Sequence, residues 1–173
     1  MARTLEVEVL VVGAGPVGLF TALVLAEHGI TAQLIDQQWR TAAHSYACAL
    51  HPATLKLLDQ FGLAAELVKR GRRVERIAFY EGSARQAEVK LADFGGDFPF
   101  LLVVPQNEFE ELLEQRLLRQ HQIPVLWNHR LSRLQFQNDR AVAHVEKVSE
   151  TSTGYIIAHL ERVRPDGGPQ PGQ

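Results

Sequence analysis

The chain has 173 residues, 46% of them hydrophobic and 22% charged, with a formal net charge of −2. That length suits one domain with a sizeable core, and a near-neutral balance without a basic stripe argues against nucleic acid as the main partner. The single cysteine, Cys48, excludes an internal disulfide, fits a reducing cytoplasm, and as a small apolar side chain is expected in the interior.

Between Val9 and Ala26 no residue is charged, which is the profile of a signal peptide or membrane span. Glu6 and Glu8 put acid where a signal peptide needs positive charge, and the run is interrupted by glycines and Pro16. No membrane association is expected, and the cytoplasm is the expected location.

In chain order, Glu6 to Val12 (EVEVLVV) alternates and then runs apolar, as a strand entering a buried parallel sheet does. Pro16 to His28 has helical period, with proline in the first turn and Gly29 just past the end. Thr31 to Asp36 is a second strand, completing a βαβ unit. Trp39 to Pro52 has no clean periodicity and reads as a long connection. Pro52 to Gln60 and Leu63 to Arg70 read as helices punctuated by Gly62 and Gly71. Val74 to Tyr80 and Ala87 to Leu91 read as strands around a Gly82-Ser83 turn, and Phe100 to Val104 as another strand. Gln106 to Gln120 is predicted as a helix whose apolar stripe is Phe109, Leu112, Leu113 and Leu117, with acids early and arginines late. After Pro124 come four β-like segments, PVLW, HRLSRLQF, AVAHVEKV and GYIIAHLERV, with a hairpin turn at Asn138-Asp139. The last residues, PDGGPQPGQ, read as a disordered tail.

The chemistry-bearing stretch is VVGAGPVGLF. Its G-x-G-x-x-G pattern follows a strand and opens a helix. Gly13 makes the tight turn, Gly15 lets backbone approach a pyrophosphate, and Gly18 lets helix and sheet pack closely. The helix N-terminus then aims its unpaired N–H groups at the phosphates. Gly18, Ala22 and Ala26 recur every four residues as a small-residue face, and Asp36 closes the second strand where a ribose needs a carboxylate. Asp36 would repel a 2′-phosphate, which leaves FAD or NAD(H). The competing reading is a glycine-rich turn in a doubly wound domain that binds nothing.

Three stretches together resemble the flavin-dependent aromatic hydroxylases, the family of p-hydroxybenzoate hydroxylase: VVGAGPVGLFTALVLAEHGITAQLID, YACALHPATLKLLDQFGL and PQNEFEELLEQRL. The resemblance implies an α/β fold: a Rossmann-like FAD-binding βαβ domain with a β-meander, plus the start of a mixed or antiparallel substrate-domain sheet. It implies FAD held by the turn Gly13, Ala14, Gly15, Pro16, Val17 and Gly18, by Asp36, by Gln106 beside the ribityl chain, by Arg40, and by Leu131 near the adenine. By the same resemblance, domain segments run 1–72 (FAD-binding), 73–105 (substrate sheet) and 106–164 (FAD-binding), with a tail at 165–173. The family's activity is hydroxylation of an aromatic small molecule through a flavin C4a-hydroperoxide, with NADPH or NADH as reductant. No residue is an evident general acid or base, and no metal site is expected.

Two departures bear on that reading. Tyr46 stands where many relatives carry an arginine near the flavin. His44, Ser45 and His51 lie nearby, but no third member or nucleophile elbow completes a hydrolytic set, so they read as loop or cap residues. The family's later Asp-Gly and Gly-Asp motifs are absent, and Asp166-Gly167 matches only superficially, because GPQPGQ follows it. The expectation is therefore the FAD-binding N-terminal part of such an enzyme, the C-terminal part of the family fold missing, hydroxylating poorly alone and completed by a longer product or a second chain. A non-catalytic FAD-binding module, an inert truncated fragment and an NAD(H)-binding dehydrogenase domain are the alternatives.

Overall fold

A computed structural model describes residues 3–39, 46–137, 140–148 and 154–161. In chain order the elements are β1 (Arg3–Val7), β2 (Val9–Val12), α1 (Pro16–Glu27), β3 (Ala32–Ile35), β4 (Ala47–Leu50), α2 (Pro52–Asp59), α3 (Ala64–Arg70), β5 (Arg72–Val74), β6 (Arg76–Glu81), β7 (Ala84–Lys90), β8 (Leu101–Pro105), α4 (Gln106–Arg116), β9 (Val125–Leu126), β10 (His129–Gln137), β11 (Arg140–Lys147) and β12 (Gly154–Glu161). They divide into two units, Met1–Ala42 with Glu110–Gln173, and Ala43–Phe109, the division falling within α4.

The first unit is the expected α/β layer. β2, β3 and β9 form a parallel sheet in the order β2-β3-β9, and β1, β12, β11 and β10 form a second sheet in that order. The predicted strand Glu6 to Val12 is two strands that belong to different sheets: β1 runs parallel to β12, and β2 runs parallel to β3. The switch occurs at Glu8. The amides of Glu8 and Val9 both donate to the Thr31 carbonyl at 3.1 Å, and the Thr31 amide donates back to Glu8 Oε2 at 2.6 Å. Sharing one acceptor between two successive donors kinks the chain from one ladder into the next.

Ile35, Ala143 and Val145 form a buried cluster with Leu10, Leu126 and Leu131 packed on it. That cluster draws on β2, β3 and β9 from the parallel sheet and on β10 and β11 from the meander, so apolar burial holds the two sheets face to face. On the helix side, α1 buries Leu19, Ala22 and Leu23, while Ala26 is only half-buried. Gly29, at φ +73°, ends α1 in the left-handed conformation that the sequence anticipates. The apolar stripe Phe109, Leu112, Leu113 and Leu117 is buried as expected. The α-helix itself stops at Arg116, and a wider π turn, Leu117–His121, completes the predicted span.

In the second unit, β4, β8 and β5 form an antiparallel sheet in that order, and β6 and β7 form a separate hairpin. The predicted strand Val74 to Tyr80 is broken at Glu75, whose carbonyl accepts the Leu91 amide at 2.9 Å. Leu91 then opens a 3₁₀ turn, Leu91–Phe94, instead of ending a strand. β4 lies within the stretch read as a connection. Its residues Ala-Cys-Ala-Leu have little intrinsic strand preference, and pairing with β8 from Ala47↔Pro105 to Leu50↔Leu102 makes the strand. The hairpin turn at Asn138-Asp139 and the tail at 165–173 lie outside the described residues. No helix among the described residues is long and apolar enough to cross a membrane.

Candidate functional site

The site grows from the end of β2. Gly13 has φ +105°, which a side chain would strain, and its amide donates to the Ile35 carbonyl at 2.8 Å. That bond ties the turn to the end of β3. Gly18 is needed for a different reason: a Cβ there would collide with the Gly13 carbonyl oxygen and touch Val11. The first turn of α1 therefore closes over the Gly13 peptide, and the close approach is to the turn itself as well as to β2.

Gly15 is the N-cap of α1, extended at φ −71° and ψ 179°, with Pro16 in the first turn. A Cβ on Gly15 would meet only Glu110 Oε1, 4.0 Å away. The space over Gly15 is thus open for a ligand to reach the backbone. Val17 beside it is 81% exposed, which leaves this end of α1 uncovered within its unit. Glu110 is one of two buried polar residues among the described ones. In the sequence it passes for one of several acids at a helix start.

Asp36 occupies the end of β3 and is fixed on both sides. Its Oδ2 accepts the Ala14 amide at 2.7 Å, its Oδ1 accepts the Gln38 amide at 2.8 Å, and its own amide donates to Leu126 O at 3.0 Å. The carboxylate therefore splints the glycine turn while keeping lone pairs for a ligand hydroxyl. Sequence reading found the acid but missed this bond to Ala14, because a contact across 22 residues leaves no local signal.

A cleft of about 330 Å³ opens here, lined by Val12, Gly13, Asp36, Gln38, His129 and Leu131 among others, within the ~300–1,000 Å³ range of small-molecule pockets. Leu131 joins it from β10 while also packing on the Ile35 cluster. His129, buried at 8% exposure, was not singled out from sequence. It stands beside Asp36, with its amide donating to the Asp36 carbonyl at 2.7 Å. At the rim, Arg130 donates to Glu146 at 2.8 Å, and that hydrogen bond holds the Glu146 carboxyl below its ordinary value.

Thus Gly13 through Gly18, Asp36 and Leu131 converge in one unit. Arg40, His44 and Ser45 lie outside the described residues. Gln106 belongs to the other unit, as the first residue of α4. There its amide donates to the Tyr46 carbonyl at 2.7 Å, and Cys48 Sγ, half-buried, donates to its Oε1 at 3.9 Å. His51 serves as the N-cap residue of α2 through its carbonyl, which accepts the Leu55 amide at 3.0 Å. That unit has its own open cleft of about 650 Å³, where the Arg73 guanidinium lies 4.6 Å over the Phe100 ring. No group of His, Cys, Asp and Glu able to hold a metal occurs among the described residues.

Residues 6–159 match the family model described as FAD binding domain. The chain is 29% identical over 153 residues to para-nitrophenol 4-monooxygenase of Pseudomonas sp. strain WBC-3, covering 87% of this chain and 38% of that enzyme. It is 27% identical over 130 residues to pentachlorophenol 4-monooxygenase of Sphingobium chlorophenolicum, covering 75% and 24%. The crystal structure of p-nitrophenol 4-monooxygenase from Pseudomonas putida DLL-E4 superimposes with a TM-score of 0.79 at 26% identity, over 90% of this chain and 40% of that one. The chain therefore spans about two fifths or less of the relatives it matches.

Proposed function

The chain belongs to the FAD-binding domain family of flavoprotein aromatic monooxygenases, and from that premise we propose that it binds the ADP half of FAD across the α1 N-terminus and the Asp36 cleft. One observation carries the reading: the Ala14 amide bonded to Asp36 Oδ2, which joins the glycine turn to the acid closing β3 at the mouth of a cleft. The residues fit the group. The position above Gly15 that a Cβ would fill is open, the helix end offers N–H groups and positive potential to the pyrophosphate, and Asp36 offers acceptors to ribose hydroxyls. Leu131 flanks the base. Gln106 as a contact of the ribityl chain, and Arg40 as a contact of the phosphates or adenosine, rest on the family resemblance.

When bound and reduced by NADH or NADPH, FAD supplies activation of dioxygen for hydroxylating an aromatic ring. This chain's share of the chemistry is to bind and orient. The turn fixes the pyrophosphate, Asp36 sets the position of the ribose, and no side chain here is assigned a proton transfer. Relatives named for para-nitrophenol and pentachlorophenol support a phenolic substrate. Because the chain corresponds to a minor part of those enzymes, we infer that it hydroxylates poorly alone, its substrate enclosure being completed by further polypeptide.

Titration with FAD, followed by flavin fluorescence and absorbance, tests the reading. Saturable uptake near one FAD per chain, displaced by ADP and unaffected by NADH at similar concentration, is the expected result. Failure to take up FAD would overturn it. NADPH with a phenol then tests catalysis: efficient hydroxylation by this chain alone would contradict its assigned insufficiency.

A further inference from the structure

The ring of the buried histidine in the cleft is not used by the glycine turn, the acid or the family resemblance, and its chemistry is constrained. His129 Nδ1 lies 2.6 Å from the Trp127 carbonyl oxygen. A carbonyl only accepts, so Nδ1 carries the proton, and in the neutral ring Nε2 is an acceptor. Nε2 makes no hydrogen bond to any described residue. Nor is it an enclosed orphan: Asn128 Oδ1 is the one fully buried side-chain polar atom without a partner among the described residues. His129 is 8% exposed and stands in the cleft wall beside Asp36 and Leu131. Nε2 is thus open to solvent, and because His129 lines the cleft, a donor on a ligand bound there can take the place of water at this acceptor.

Resting on the FAD reading above, we propose that His129 Nε2 accepts a hydrogen bond from the adenosine half of the dinucleotide, making His129 a specificity-determining residue of the site. Adenosine offers two kinds of donor, the exocyclic amino group of the base and the ribose hydroxyls. Asp36, each of whose oxygens already accepts one amide, keeps fewer lone pairs for the ligand, and His129 Nε2 adds a second acceptor at this end of the cleft.

The experiment is isothermal titration of the chain with ADP, inosine diphosphate and 2′,3′-dideoxy-ADP, on the wild type, His129→Asn and His129→Gln. Asparagine preserves a donor for the Trp127 carbonyl but has nothing at the Nε2 position; glutamine can present an amide oxygen there. His129→Asn should lose about tenfold in ADP affinity, whereas His129→Gln stays within about threefold of wild type. If the amino group is the donor, the Asn penalty disappears with inosine diphosphate. If a hydroxyl is, it disappears with dideoxy-ADP. Equal ADP affinity in wild type and His129→Asn overturns the proposal, as does an equal loss in both variants, which would mark a structural role. Should His129→Asn not fold, the imidazole ¹⁵N spectrum of the wild type decides: the His129 Nε2 resonance should shift on adding ADP, and an unmoved resonance with ADP bound overturns the assignment. If ADP does not bind the wild type at all, the nucleotide reading itself falls, and this inference with it.

Discussion

The two units hold their candidate ligand groups by different means. In the unit with the glycine turn, the turn, the acid and the histidine are pinned through main-chain groups: Gly13 to Ile35, Asp36 to Ala14, Gln38 and Leu126, and His129 to Asp36, all at 2.7–3.0 Å. In the unit Ala43–Phe109, the Gln106 side chain meets a thiol at 3.9 Å, a long and weak contact, although its backbone is fixed by Tyr46. The first arrangement is a frame of short main-chain hydrogen bonds around the cleft. On the proposed reading, ADP probes the first unit, and FAD in addition tests the proposed contact with Gln106.

That contrast is broken most severely at Gly18. Gly18→Ala forces a Cβ into the Gly13 carbonyl. Overpacking of this kind costs about 1–3 kcal/mol or more, and here it displaces the glycine turn proposed to hold the pyrophosphate. ADP and FAD affinity should both fall about a hundredfold, read by titration, with a lowered melting temperature. Loss of FAD binding with ADP binding intact would contradict the assignment of the turn to the pyrophosphate.

Asp36→Ala should follow. It removes the proposed charge-assisted hydrogen bond to the ribose, about 1.5–3 kcal/mol or ten- to a hundredfold in affinity, and unties the Ala14 amide as well. ADP and FAD should suffer alike. Unchanged affinity would mean that the ribose sits elsewhere.

Gln106→Ala sharpens the comparison from the other side. FAD affinity should drop about three- to tenfold, with a shifted flavin absorbance, while ADP affinity stays at the wild-type value. An equal loss for ADP would assign Gln106 to the wrong half of the cofactor.

The smallest effect concerns acid. The Arg130 hydrogen bond keeps the Glu146 carboxyl below its ordinary value of 4.5. A depressed folded-state value stabilises the fold above that ordinary value, and the contribution is lost as pH falls through the lowered one. Arg130→Met should therefore lower the melting temperature slightly at neutral pH, with the difference from wild type vanishing as pH falls below ~4.5, so that the acid limb is flatter. A steeper limb would reverse the sign.

How far the sequence could be read depends on the range of the interactions involved. The turn, α1 and β3 follow from residues within a few positions of one another, since glycine, proline and period act locally. The break at Glu8 was hidden because the alternation of β1 and the apolar run of β2 look continuous, and only Thr31 separates them. β4 was hidden because the four residues Ala-Cys-Ala-Leu become a strand through β8, more than fifty positions away. Within the site, Gly13, Gly15, Gly18 and Asp36 were visible. His129 was not, since a histidine at a strand start carries no period or motif, and its burial beside Asp36 arises only when β9 pairs with β3. Glu110 escaped notice for the same reason.

Hydrogen–deuterium exchange with and without saturating ADP tests the central claim most directly. Amides of Gly13 to Leu19, Asp36 to Trp39 and Trp127 to Leu131 should exchange more slowly with ADP bound, while those of Arg72 to Val104 keep their rates. Protection confined to the residues around Arg73 and Phe100, with the glycine turn unprotected, would contradict it.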